Sequence, residues 1–439
     1  MKTREETTSR LESALAAAER PARRGRSWQR RLWPYLMAIG PGLLAASAGN
    51  DAGGIATYSS AGAAYGYDLL WAMVVVTIFV GVVQEMSARL GAVTGKGFSD
   101  LIRENFTLRQ TALVLGTLLI ANFGIIVSEF VGIAAAAELF GISRYVAVPV
   151  AAVGIWLLIT RGSYGRVERI FLVLSLCFLA YIASAYLAKP DWGQVAAHTL
   201  RPQITWSSGY FLLLVAMIGT TISPYMQLYV QSSVVEKGVT PDDYRFTRFD
   251  VWIGTLFAGI VACAIIIATA ATLHPAGITV ETAADAAQAL APVAGPYATY
   301  LFAAGLLGAS LLAAGVLPLA TTYMMSEALG FERGVSHTWS EAPIFLGMFT
   351  ALLAAGAILA LIPGLPLIQV LVGVYVLNGL LLPVELFAIL SLINNRELMG
   401  AYANRPLYNL LAWGIAIIVS ALSLGLIGVT VLGWFGVSL

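Results

Sequence analysis

Gly40-Pro41-Gly42-Leu43-Leu44-Ala45-Ala46-Ser47-Ala48-Gly49-Asn50-Asp51-Ala52-Gly53-Gly54 is a helix-breaking stretch in the middle of an apolar run. Proline removes a backbone donor and glycine weakens the helical ladder, so a run of this composition is expected to unwind near Asp51. A backbone that unwinds inside a bilayer is tolerated only where it faces a cavity or other protein. The segment Gly219-Thr220-Thr221-Ile222-Ser223-Pro224-Tyr225 repeats the pattern, with three hydroxyl residues before a proline and apolar sequence on both sides.

The surroundings of these two segments are those of a membrane protein. The chain has 439 residues, 59% hydrophobic and 11% charged, with a mean hydropathy of +0.81. A water-soluble domain carries roughly a quarter charged residues, so most of this surface faces lipid. Apolar runs long enough to span fall at 34–64, 68–94, 109–138, 145–160, 167–187, 208–234, 250–273, 293–328, 343–362, 367–393 and 407–436. These eleven predicted spans follow a polar tail over 1–33, which has no apolar core of the kind a signal peptide needs.

The breaks fall in spans 1 and 6, five helices apart. That spacing predicts an inverted repeat, with one five-helix unit over 34–187, a second over 208–393 and an eleventh helix over 407–436. The substrate site then lies between the two breaks at mid-membrane. With the N-terminus in the cytoplasm, all of the 25 Lys and Arg residues except Arg144, Lys189 and Arg201 fall on the inner side. The positive-inside rule therefore supports an odd number of spans and an external C-terminus.

A net charge of +1 points to no nucleic-acid partner. Cys177 and Cys263 sit in separate apolar runs and suggest neither a disulfide nor a thiolate site. No nucleotide-binding or hydrolase motif is present, which argues against a pump or an enzyme. The three histidines, His198, His274 and His337, all fall in predicted loops. Buried ionisable residues are costly in a membrane, which singles out Asp51, Glu85, Glu129, Glu327 and Glu385. Asp51 shares its break with freed carbonyls, a donor set for a hard cation. Glu85 and Arg89 have the spacing of a helical ion pair. Glu129 could serve a gate, a proton relay or a structural hydrogen bond, Glu327 is expected to reach water at a helix end, and Glu385 follows Pro383 without an assigned role.

The run from Gly40 through Gly54 to Tyr65-Gly66-Tyr67 resembles the Nramp family of divalent-metal transporters. So do Gln84 to Gly95, Glu129-Phe130 and Arg248-Phe249-Asp250. The resemblance implies eleven helices of the LeuT type and a metal carried as substrate, with no cofactor, no obligatory protein partner and no enzymatic activity. It also implies a site formed by Asp51, Gly54, Thr220 and Ser223 with the Ala48 and Thr220 carbonyls, joined by Tyr375 and Asn378, and it places Glu129 and Tyr225 on the gating or proton route.

The departures from the family pattern concern the ligands. Ala52 replaces a proline, Gly54 an asparagine ligand, Ser223 a methionine ligand and Tyr225 a histidine. Ile126 stands where the family has an acid, and the ninth span has no arginine. Losing the thioether makes the site harder, and losing two side chains widens it. This resembles the Nramp-related magnesium transporters and implies import of largely hydrated Mg²⁺, and of Mn²⁺, through the inner membrane of a prokaryote without obligatory proton coupling. The alternatives are a proton-coupled Mn²⁺/Fe²⁺ transporter, a sodium-coupled organic-solute symporter, or an intramembrane enzyme using paired carboxylates.

Overall fold

The computed structural model describes residues 46, 49–161, 170, 173, 179–288, 298–332 and 338–434. The tail over 1–33, the first part of span 1, the start of span 5, Ala48, Cys177 and His337 lie outside the described residues. Among those residues the fold is all-helical.

In chain order the helices are α1 (Ala52–Tyr65), α2 (Leu70–Thr94), α3 (Phe98–Asn105), α4 (Leu108–Leu139), α5 (Arg144–Arg161), α6 (Leu179–Leu187), α7 (Trp192–Leu200) and α8 (Ser208–Thr221). They continue with α9 (Pro224–Glu236), α10 (Tyr244–Thr272), α11 (Ala283–Ala287), α12 (Ala298–Leu329), α13 (Pro343–Ala360), α14 (Leu367–Ile393), α15 (Arg396–Met399) and α16 (Pro406–Trp434). Nine stretches of the described residues are long and apolar enough to cross a membrane. They match nine of the eleven predicted spans, and α1 and α6 are the described parts of the other two. The seventh span begins at Tyr244, six residues earlier than expected, because the helix continues through Arg245 and Arg248.

Local sequence explains several ends. Thr107 caps α4 through a reciprocal capping box with Gln110. Ser207 caps α8 by accepting from Tyr210 N. Gly95 closes α2 with φ +65°, a conformation that disfavours a side chain. Pro224 opens α9 at its first turn, where the missing N–H costs nothing.

Both predicted breaks are present. Ala46 is helical, Gly49 and Asn50 form a turn, and the helix restarts at Ala52. Span 6 is interrupted at Ile222 and Ser223, between α8 and α9. This broken span is the most enclosed of the nine, with 89% of its apolar window buried, against 17% for α5 and 33% for α16. The broken helices therefore form the interior, while α5 and α16 expose Val150, Val153, Ile417 and Leu424 to the surroundings. Around the interior, α1 packs against α4, α8, α10 and α14, and α4 packs against α12, α13 and α14.

At the end of the bundle that carries Arg89, Lys96, Arg103, Arg245 and Arg405, polar contacts tie the helices together. The expected Glu85–Arg89 pair is formed at 3.3 Å, but it belongs to a larger cluster. Glu85 also accepts from the Tyr244 hydroxyl and, at 2.7 Å, from the Tyr408 hydroxyl, while Arg89 donates to Asn404 at 2.5 Å. Glu327 departs from expectation. It does not reach water: it is 1% exposed and accepts from Ser99 N at 3.1 Å and Ser232 Oγ at 2.8 Å. It thus caps the first turn of α3 from 228 residues away. Gly97 leaves the room, since a Cβ there would lie 1.9 Å from the Glu327 carboxyl carbon.

Candidate metal centre

Asp51 ends the turn at the first break with an extended backbone and is fully buried. Its Oδ1 accepts from Gly54 N at 2.7 Å, so Asp51 is the N-cap of α1. Its Oδ2 accepts from the Tyr375 hydroxyl of α14. The cap geometry holds the carboxylate at the break and does not send it along the helix.

Glu129 of α4 reaches the same place. Its Oε1 lies 3.3 Å from the Tyr375 hydroxyl, and its Oε2 accepts from Ala52 N at 3.4 Å. The Tyr375 O–H has a single hydrogen, so it donates to one carboxylate at a time, and Asp51 is the nearer. Tyr225, in the first turn of α9, is a further hydrogen-bonding neighbour of Asp51. Tyr375 fits over α1 because residue 53 is glycine: a Cβ there would lie 1.8 Å from its ring.

Oxygen atoms close in on Gly54, where any side chain would crowd them. A Cβ at that position would meet Gly49 O at 2.8 Å, Thr220 Oγ1 at 3.0 Å and Asp51 Oδ1 at 3.3 Å. The Thr220 hydroxyl is buried and has no hydrogen-bond partner. Four of the residues singled out in the sequence, Asp51, Gly54, Thr220 and Tyr375, therefore lie together with Glu129.

Ser223 and Asn378 form the second half of the centre. Ser223 Oγ donates toward Gly219 O at 2.9 Å and Thr220 O at 3.0 Å. Asn378 Nδ2 donates to Gly219 O and, at 3.2 Å, to Ser223 Oγ. The Thr220 carbonyl, expected as a free ligand, is thus engaged by Ser223, while Asn378 Oδ1 has no partner. The donors at the second break point at the buried C-terminal end of α8, whose last carbonyls lack helical partners.

Sequence reasoning missed Met226. Its methyl group fills the position beside Gly49, where a Cβ would lie 2.2 Å from Met226 Cε. Its sulfur accepts from Gln84 Nε2 at 3.4 Å. A thioether therefore stands next to the first break although Ser223 occupies the expected sulfur position. The break itself was the signal, since a residue one turn into α9 faces the same interior.

Among the described residues, no three or more His, Cys, Asp or Glu side chains come together in a way that could hold a metal ion. His198 is on the short helix α7 and not in a loop, with Nδ1 2.9 Å from Asp68. His274 lies in the turn after α10. The centre therefore offers carboxylate, hydroxyl, amide and carbonyl oxygen, a hard donor set with few charges.

The natural resistance-associated macrophage protein-like family model matches residues 42–428. The chain belongs to the Nramp family. It is 30% identical to the divalent metal cation transporter MntH of Deinococcus radiodurans over 408 residues, covering 90% of this chain and 89% of that one. It is 31% identical to divalent metal cation transporter MntH 1 of Pseudomonas aeruginosa, covering 91% and 92%. Among solved structures, the Eremococcus coleocola manganese transporter superposes with a TM-score of 0.73 at 21% identity, covering 95% of this chain and 91% of that one. The nucleobase-cation-symport-1 family transporter MHP1 superposes with a TM-score of 0.56 at 14% identity, covering 89% and 92%. The Nramp chain described here thus has the fold of two transporters that carry different substrates.

Proposed function

We propose that this Nramp chain imports divalent cations into a prokaryotic cytoplasm by alternating access, with largely hydrated Mg²⁺ as its main substrate and Mn²⁺ as a second. The relatives named as divalent metal cation transporters support the class of substrate. The carrying observation for Mg²⁺ is the oxygen lining beside Gly54, where Gly49 O, Thr220 Oγ1 and Asp51 Oδ1 lie 2.8, 3.0 and 3.3 Å from the point a Cβ would occupy. Mg²⁺ dehydrates reluctantly and is bound by one or two carboxylates while it keeps several waters. A centre with two carboxylates, Asp51 and Glu129, on either side of the Tyr375 hydroxyl and neutral oxygens around them suits that habit.

The basic end of the bundle is read as cytoplasmic by the positive-inside rule. This puts the plasma membrane around the nine candidate spans, the N-terminus inside and the C-terminus outside.

Transport is read as not obligatorily proton-coupled. Among the described residues no histidine lies in a candidate span, Ile126 is apolar and buried, and Glu129 is held by Ala52 N. Two charges entering a negative cell are favoured by about 4.6 kcal/mol per 100 mV, enough to drive uptake alone. Met226 favours a second reading, a proton-coupled Mn²⁺/Fe²⁺ transporter, because its sulfur adjoins the break and is a soft ligand.

The test is uptake into proteoliposomes with an inside-negative potential and a trapped pH dye, comparing Mg²⁺, Mn²⁺ and Ca²⁺. Entry of Mg²⁺ without internal acidification is expected. Uptake of Mn²⁺ alone, or acidification that follows metal entry and disappears in Glu129→Gln, would return the chain to the second reading.

A further inference from the structure

Arg405 and the first turns of α16 line a groove of about 760 Å³, with Phe79 of α2 beside them. Leu407, Leu411, Gly414 and Ile418 recur at intervals of three and four residues and so share one helix face. Leu407, Leu411 and Ile418 are exposed, and a Cβ at Gly414 would meet no heavy atom within 4 Å. Glycine weakens a helix interior, and no packed neighbour requires it here. From Leu407 to Ile418 the groove runs ~16 Å along the helix, close to the ~15 Å depth of one leaflet of the hydrocarbon core. It is apolar, open to the surroundings and one acyl chain long.

The mouth of this groove is basic. Arg405 lines it, and Arg248 of α10 acts electrostatically on the Tyr408 hydroxyl, whose residue lines it too. Arg89, Lys96, Arg103 and Arg144 each have a carboxylate partner. Arg405 and Arg248 are exposed and have none among the described residues. The leading N–H groups of α16 lack helical acceptors and add partial positive charge at the same end. Basic pockets between transmembrane helices hold acidic lipid headgroups in this way. A second copy seated on this face across a twofold interface would set like charges against each other.

We infer that the groove binds an anionic phospholipid, with its phosphate at Arg405 and Arg248 and an acyl chain along α16 past Gly414. The inference needs only that these spans lie in a membrane, and it holds whichever cation the centre carries. Tyr408 gives the lipid a structural consequence. It lines the groove and donates to Glu85 at 2.7 Å, and Glu85 also accepts from Tyr244 and pairs with Arg89. A lipid held there braces α16 against the cluster that joins α2 and α10 at the basic end.

The experiment is lipid binding to the full-length protein in neutral detergent, followed by native mass spectrometry and thermal unfolding. The probes are dipalmitoyl phosphatidylglycerol, dipalmitoyl phosphatidylcholine and glycerol phosphate. The proteins are wild type, Arg405→Gln, Arg405→Gln with Arg248→Gln, Gly414→Leu and Arg161→Gln. Arg161 is the control, an exposed cation at the end of α5, which packs against α4, α12 and α13. Wild type should retain phosphatidylglycerol in preference to phosphatidylcholine and unfold at a higher temperature with it. Each arginine lost from the mouth should weaken phosphatidylglycerol binding by about fivefold, equivalent to ~1 kcal/mol. Gly414→Leu should weaken it with no change of charge, and Arg161→Gln should leave it intact.

Equal retention of the two lipids by wild type overturns the inference, as does equal weakening by Arg161→Gln and Arg405→Gln. Stabilisation by glycerol phosphate alone, as large as that by phosphatidylglycerol, would make the mouth a site for free anions and overturn the lipid. A wild-type dimer that Gly414→Leu converts to monomer, with phosphatidylglycerol binding unchanged, would give the groove to a second copy instead. Gly414→Leu puts its side chain into open space, so it decides alone if the double arginine variant does not fold.

Discussion

Glu129 accepts a hydrogen bond from the backbone N–H of Ala52, 77 residues earlier in the chain. Only a residue other than proline can donate it, and Ala52 stands where typical family members have proline. The residue that alters the sequence motif thereby gives Glu129 a fixed partner at the start of α1. This contact connects the substitution at the break to the buried carboxylate of α4, two features that look separate in the sequence.

Ala52→Pro tests that connection. Proline is well tolerated at the first position of a helix, so α1 itself should survive. The buried Glu129 loses one donor, which should lower stability by about 1 kcal/mol. Thermal unfolding in detergent measures the loss, and metal uptake should become more dependent on pH once Glu129 is released. Unchanged stability and an unchanged pH profile would show that the bond contributes nothing.

Asp51→Ala should abolish metal-dependent uptake. Asp51 supplies the charge at the first break, and the Tyr375 hydroxyl and Gly54 N converge on it. The helix cap is lost too, at a cost of about 1 kcal/mol, so monodispersity in gel filtration accompanies the flux assay. Wild-type uptake by a monodisperse variant would remove Asp51 from the site.

Gly54→Ala places a methyl group within 2.8 Å of Gly49 O and 3.0 Å of Thr220 Oγ1. The first contact is with backbone and closer than a Cβ tolerates, so the turn at the first break must shift and its oxygen lining with it; thermal unfolding therefore accompanies the assay. Uptake of Mg²⁺ should fall more than uptake of Mn²⁺, because the ion that keeps more water needs more room. Equal loss for both ions would argue that the lining at Gly54 does not set selectivity.

Ser223→Met restores a thioether at the second break. It removes the hydroxyl that engages the Gly219 and Thr220 carbonyls, and it adds a soft ligand. The Mn²⁺ to Mg²⁺ uptake ratio should rise by roughly tenfold, equivalent to ~1.4 kcal/mol. A ratio that stays at the wild-type value would place the control of selectivity elsewhere, with Met226 the next residue to change.

Gly97→Ala should destabilise the basic end. The new Cβ would stand 1.9 Å from the Glu327 carboxyl, so the carboxyl must leave Ser99 N and Ser232 Oγ. An unpaired buried acceptor costs about 1–3 kcal/mol. Limited proteolysis of the segment between α2 and α4 should become faster, and a protease-resistant variant would count against the cap.

The sequence by itself determined where helices run and where they break. Span length follows from bilayer thickness, and helix interruption follows from proline and glycine, so both are local properties that a single strand of text can carry. Gly49 to Gly54 and Gly219 to Tyr225 could be read as the breaks for that reason, and Asp51 stood out because it lies inside one of them.

The tertiary structure decided which of these groups meet. Tyr375 lies 324 residues from Asp51 and Asn378 lies 159 from Gly219, distances over which no periodicity or spacing carries information. The same holds for Glu327, whose position near a helix end suggested contact with water until α3 was seen to place Ser99 N against it. A buried polar group takes whichever partner the packed helices bring within about 3 Å. Helix positions are written in local hydropathy, whereas partner choice is settled only by the way the helices pack.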